Sequence, residues 1–195
     1  REFALSGHIV TLGVQPTYPA TGYGYIETSG PAYGGAGDAL RAVRFREKPD
    51  EATAKKLLEQ GGFYWNAGMF IFKVSRMIEH LSSLAPDVWS AFSELKDDLR
   101  NLDSVYQKAR SISIDYAVME KTLNAAVVPS SFTWSDLGSW DAVWKLGRPD
   151  ALGNVTVGRA TLSDTRNSLV ISHTSHLAVQ GLDGVAVIAS EDAIY

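Results

Sequence analysis

The sequence predicts an α/β fold followed by a small β-rich module, and two observations carry that reading. From Ile9 to Leu146, β-branched apolar runs alternate with segments whose apolar residues recur at helical spacing. After Asp150 the helical periodicity disappears, and short apolar runs are separated by Gly, Asn, Asp and Ser. The stretch from Gly147 to Gly153 is the natural boundary, giving expected domains at residues 1–147 and 148–195. A chain of 195 residues is long enough for one substantial core, or one core with a small module attached.

The elements follow in order. Ile9 to Val14 is β-branched and reads as a strand, as do Tyr23 to Glu27 and Leu40 to Arg46. Between the last two, Gly30, Pro31, Gly34, Gly35 and Gly37 mark a loop. That cluster lacks the spacing of a phosphate-binding glycine motif, and no helix start follows it. Asp50 caps a helix through about Gln60, which Gly61 and Gly62 end. Met69 to Val74 reads as a strand, and Ser75 opens a helix with Ile78, Leu81 and Leu84 on one side. A second helix follows Pro86, with Val88, Phe92, Leu95 and Leu99 as its core stripe. A helix over Ile114 to Lys121, a strand over Ala125 to Val128 and a helix over Ser139 to Leu146 complete the first part. The module adds strands at Val155 to Val157, Leu169 to Ser172, Leu177 to Gln180 and Val185 to Ala189, with no fixed-period repeat legible.

Composition narrows the function. A net charge of −4 gives no basic footprint, which argues against nucleic acid as a partner. No apolar run reaches the roughly 18 residues of a membrane span. The chain has no cysteine, so disulfides, thiolate metal sites and cysteine nucleophiles are out, and a reducing cytoplasm is the expected location. His173 and His176 lack a third ligand nearby, and no serine hydrolase motif is present. Glu, Asp and Lys remain as chemical actors.

Three segments carry that chemistry. In Phe45 to Pro49, Pro49 biases Lys48 to an extended backbone. There its ammonium suits a phosphate and Glu47 suits hydroxyl groups. Taken alone, a surface ion pair explains these two residues as well. Strand neighbours point to opposite faces, so one site can use both only if the backbone twists or bulges. In Trp65 to Phe70, Asn66 offers donors and an acceptor, and Gly68 permits close approach; a plain turn is the alternative. In Trp134 to Trp140, Asp136 is either a helix cap or a hard oxygen ligand for a metal.

Read in order, these segments resemble the mannose-1-phosphate guanylyltransferases among the sugar-phosphate nucleotidyltransferases. The likeness also covers Thr11 to Pro16, Thr21 to Glu27, Phe63 to Phe70 and Ser113 to Lys121. It implies a Rossmann-like nucleotidyltransferase domain that transfers GMP from GTP to mannose 1-phosphate, giving GDP-mannose and pyrophosphate. By position, Lys48 would hold the sugar phosphate and Glu47 the sugar hydroxyls. Gly24, Glu27, Asn66 and Gly68 would line the sugar pocket, and Asp136 would be one Mg²⁺ ligand. Asp115 and Lys121 match the pattern without an assigned role. The family's glycine-rich nucleotide loop and a second metal-binding Asp have no counterpart here, so the expectation is an N-terminally incomplete domain, inactive by itself. The resemblance also allows a homodimer. Two further readings stand beside it: a relative with another sugar 1-phosphate or nucleotide, and a non-catalytic sugar-phosphate-binding subunit.

Overall fold

The computed structural model describes residues 1–31 and 38–195. Gly34, Gly35 and Gly37 of the expected loop lie outside the described residues. The described chain falls into two compact units, Arg1–Trp134 and Ser135–Tyr195.

In the first unit, a helical turn α1 (Glu2–Leu5) leads into β1 (Ile9–Val14), followed by β2 (Tyr25–Pro31), β3 (Leu40–Arg46), α2 (Glu51–Gln60) and β4 (Phe63–Ile71). Three short helices come next, α3 (Val74–Leu84), α4 (Pro86–Phe92) and α5 (Leu102–Lys108). A π-helical turn (Asp115–Met119) and β5 (Ala125–Ser130) complete the unit. The strands close on one another in the order β1-β4-β2-β3-β5. Five of the six positions of β1 are buried, because β4 and β5 flank it and side chains pack on both faces. Ile9 joins Ile26, Phe45, Val118 and Val127 in one cluster, while Val14 joins Tyr25, Phe63 and Trp65 in another.

A Rossmann-like sheet implies mostly parallel neighbours, and here the structure differs. Among the described strands of this first unit only β1 and β5 pair in parallel; the other ladders are antiparallel. Parallel neighbours need a crossover. The crossover through α2 joins β3 to β4, which flank β2 and do not touch each other's edge.

Several boundaries also moved. The strand expected from Met69 begins at Phe63, so Asn66 and Gly68 lie inside it. The helix after Pro86 stops at Phe92; Leu99 has a φ of 57° and is 54% exposed, so it is not part of a core stripe. The helix expected over Ile114 to Lys121 is the π-helical turn. Asp50 caps α2 as expected, accepting the N–H of Thr53 at 2.8 Å.

The second unit opens with α6 (Trp140–Leu146), capped by Ser139, and continues with β6 (Val155–Ser163), β7 (Leu169–Gln180) and β8 (Ala186–Ala189). The two runs expected at Leu169 and Leu177 form one continuous strand. All three strands pair in parallel, Val155 facing Leu169 and Leu169 facing Ala186. Those steps along the chain are unequal, which explains why no fixed period shows in the text. Buried Asn154 stitches the turns, donating to Thr165 O at 2.8 Å and accepting from Ser168 N at 3.2 Å.

The units part at Trp134, earlier than the expected Gly147. The reason is α6. Its Val143 and Trp144 pack on Val155, Leu169 and Ile171, and Trp144 Nε1 donates to Gly153 O at 2.9 Å. Replacing Trp144 with Ala removes that packing and orphans the carbonyl, at an expected cost of about 2 kcal/mol or more. Thermal unfolding of the whole chain checks this, with an unchanged midpoint counting against α6 as part of the second unit.

Candidate functional site

The site begins where β3 ends. Arg46 is its last residue, and Lys48 has a φ of 42°, a left-handed conformation for a non-glycine residue. The extended backbone expected before Pro49 is therefore not adopted. The Lys48 N–H donates to Tyr23 O at 3.2 Å, and the Glu47 N–H donates to Glu120 Oε1 at 3.2 Å. These bonds hold the turn against a strain of about 1–3 kcal/mol. The turn also answers how neighbours share a face: Lys48 Nζ and Glu47 Oε1 lie 3.4 Å apart. Their surroundings differ. The Lys48 side chain is 61% exposed and that of Glu47 only 11%.

Gly24 packs directly on this turn. A Cβ there would stand 2.6 Å from Glu47 Oε2 and 2.9 Å from Phe45 Cζ, so only glycine leaves room for the carboxylate. The Gly24 carbonyl accepts the N–H of Asn66 at 2.8 Å.

Asn66 occupies an irregular stretch of the β1–β4 ladder, where Thr11 pairs with Phe70 but Gly13 pairs with Asn66. The surplus residues on β4 form a bulge, with Gly68 at a φ of 71°. Asn66 is 8% exposed, and its side chain is fully engaged. Oδ1 accepts from Thr11 Oγ1 at 2.8 Å and from Gly68 N at 3.2 Å, while Nδ2 donates to Asp115 Oδ1 at 3.3 Å. Beside it, Trp65 is buried against the edges of Tyr18 and Tyr23, at centroid distances of 4.9 and 5.2 Å.

In front of this layer lies a cleft of about 630 Å³ whose walls include Glu47, Lys48, Ser113, Asp115 and Tyr116. Gly24, Asn66 and Gly68 are not among its walls: Gly24 packs on Glu47, Asn66 bonds Asp115, and Gly68 bonds Asn66. Burial pushes the Glu47 carboxyl above its ordinary value; Asp115 and Glu120 push the same way, and Lys48 opposes them. Burial likewise pushes Asp115 up, with its own N–H, Ser113 and Lys48 opposing. Two carboxyls raised by burial beside one ammonium, in a cleft, make this the candidate site.

Of the other expected residues, Glu27 is taken up by Arg44, whose Nε donates to it at 2.8 Å across the β2–β3 ladder; it is not on the cleft walls. Lys121 donates to Leu84 O at 2.9 Å and so ties the π-helical turn's end to α3. Asp136 does not cap α6. Its Oδ1 accepts the N–H of Gly138 at 3.1 Å, and Ser139 is the cap. Among the described residues no group of three or more His, Asp or Glu side chains is arranged to hold a metal ion. Nor is any described helix long and apolar enough to cross a membrane.

Residues 2–151 match the model of the nucleotidyl transferase family. The chain belongs to that family. The nucleotidyl transferase match runs from α1 through α6. Among curated proteins, the chain is 54% identical to a mannose-1-phosphate guanylyltransferase of Sinorhizobium fredii, covering 98% of this chain and 38% of that protein. It is 40% identical to the alginate biosynthesis protein AlgA of Pseudomonas aeruginosa, covering 98% and 41%. The chain thus spans about two fifths of the length of these relatives. A solved structure described as a mannose-1-phosphate geranyltransferase from Thermus thermophilus superposes with a TM-score of 0.85. That pair is 35% identical, over 100% of this chain and 57% of the other. A mannose-6-phosphate isomerase from Helicobacter pylori matches at a TM-score of 0.58 and 29% identity, over 69% of this chain and 55% of that one.

The raised carboxyl of Glu47 has a consequence for stability. Its folded-state value lies above the unfolded one, so the folded state binds the proton more tightly. The stabilisation this gives is full below the ordinary glutamate range and is lost as pH rises through the folded value. The Glu47→Gln variant is therefore expected to melt higher than the wild type at pH 7, with the gap closing near pH 4. Melting curves at both pH values measure this, and a variant that melts lower at pH 7 contradicts it.

Proposed function

We propose that this chain is the sugar-phosphate-holding part of an enzyme that transfers GMP from GTP to mannose 1-phosphate. The observation that carries the reading is the corner at Glu47 and Lys48, where an exposed ammonium and a desolvated carboxylate share one cleft. The ammonium holds the phosphate as a point charge, and the carboxylate accepts sugar hydroxyls. The names of the relatives, two of them specifying mannose 1-phosphate, support the choice of sugar.

The reaction needs no protein nucleophile. An oxygen of the sugar phosphate attacks the α-phosphorus of the nucleotide, forming the new phosphoanhydride bond as pyrophosphate leaves with the bonding electrons. The protein's work is then placement and charge neutralisation. Lys48 fixes the attacking phosphate and Glu47 fixes the ring, with Gly24 leaving room for the Glu47 carboxylate. Asp136 offers a hard carboxylate, which fits Mg²⁺ as one ligand; the nucleotide's phosphates and residues outside this chain would complete the set. When bound, such an ion neutralises phosphate charge.

Titration calorimetry with mannose 1-phosphate tests the proposal on the chain itself. The wild type is expected to bind, and Lys48→Ala to bind about 10- to 100-fold more weakly, the worth of one charge-assisted hydrogen bond. Gly24→Ala should weaken binding in the same direction by displacing Glu47. A wild-type chain that ignores millimolar mannose 1-phosphate would remove the basis of this reading. Assay for pyrophosphate release with GTP, UTP and dTTP, on this chain and on any longer protein that contains it, then separates nucleotide preferences.

A further inference from the structure

Asp115 is expensive where it stands. It is half-buried, Glu47 and Glu120 are close enough to repel it, and Lys48 is the cation that opposes them. Packing alone gives no reason for a charge here. A neutral side chain with one acceptor would satisfy the Asn66 amide equally well.

The orientation of that amide is fixed by its neighbours. The Gly68 N–H can only donate, so the atom it meets at 3.2 Å is Asn66 Oδ1. Thr11, fully buried, donates to the same oxygen at 2.8 Å. Nδ2 is thereby turned toward Asp115, and a carboxylate is held at the end of a chain of hydrogen bonds that starts in the core. The π-helical turn that begins at Asp115 presents it at the cleft wall, and such turns recur at functional sites. A carboxylate has about four acceptor positions. Asn66, Ser113 and its own N–H occupy part of that capacity.

We propose that Asp115 is a second hydroxyl-binding carboxylate of the sugar site and sets its specificity, with Thr11 and Asn66 as positioning residues. This rests on the sugar-phosphate reading of the cleft given above. With Lys48 drawing the phosphate and Glu47 and Asp115 facing the ring, a hexose phosphate enters in one orientation. The same pair of carboxylates repels a sugar that carries a second anionic group, such as a hexuronic acid 1-phosphate.

The test is calorimetric titration of the 195-residue chain, wild type, Asp115→Asn and Thr11→Val, with three probes: mannose 1-phosphate, glucuronic acid 1-phosphate and inorganic phosphate. Asp115→Asn is expected to weaken mannose 1-phosphate about tenfold or more. It should bind inorganic phosphate at least as well as the wild type does, and it should narrow the preference for mannose 1-phosphate over the uronic acid ester. Thr11→Val should shift mannose 1-phosphate in the same direction by less. Unchanged mannose 1-phosphate affinity in Asp115→Asn overturns the inference while leaving the sugar-phosphate reading intact. So does a parallel loss of inorganic phosphate binding, which would mark Asp115 as merely structural. A wild type that binds neither ester overturns both. Melting curves of the variants identify any loss of fold, and in that case Thr11→Val decides by the same criteria.

Discussion

Asn66 sits in the interior where β1 and β4 fall out of step, and each of its polar groups is committed: its backbone N–H to Gly24, its Oδ1 to Thr11 and Gly68, its Nδ2 to Asp115. A buried amide with this many partners has one orientation, and removing it would leave several buried groups unpaired at once. Gly24 in turn presses on Glu47, and Asp115 forms part of the cleft wall. Both walls of the candidate site therefore trace back to one residue, through its backbone N–H and its side chain, and to the bulge that admits it. The rest of the first unit, with core clusters packed around its closed strands, keeps that bulge from relaxing into a regular ladder.

Charge separates the site from the remainder of the surface. The carboxyls of Asp50, Asp87 and Asp150 sit below their ordinary values because something donates to each: Thr53, Arg110 and Asn154 respectively. Those arrangements favour the ionised form and the fold together. Glu47 and Asp115 run the other way, raised first by burial and then by each other or by Glu120. The exposed pairs, such as Lys55 with Glu51 and Lys145 with Asp141, contribute little and locate nothing.

The sequence made β1, β3, α2 and α6 legible because each is bounded by local signals: a β-branched run, an Asp or Ser cap, a glycine stop. It hid β4, since Asn-Ala-Gly reads locally as a turn and only the pairing with β1 makes it a bulge. It hid the parallel order of the second unit, which depends on unequal spacings between stacked turns. At the site, Lys48, Glu47 and Asn66 were visible through family resemblance, while their local chemistry left simpler explanations open. Asp115 matched the family pattern without an assigned role, and Glu120 lay unremarked in the same matched segment. Their contacts are made across the sequence, to Asn66 and to the backbone of Glu47.

The left-handed backbone at Lys48 has an implication for anyone improving this protein's robustness. Glycine adopts such a conformation without strain, and exchanging lysine for it would relieve about 1 kcal/mol. Selection for heat tolerance alone would thus reward removal of the very ammonium that the cleft is built around. Library screens on this scaffold should carry a ligand-binding gate alongside the thermal one, or they will enrich for sturdy proteins with an empty purpose.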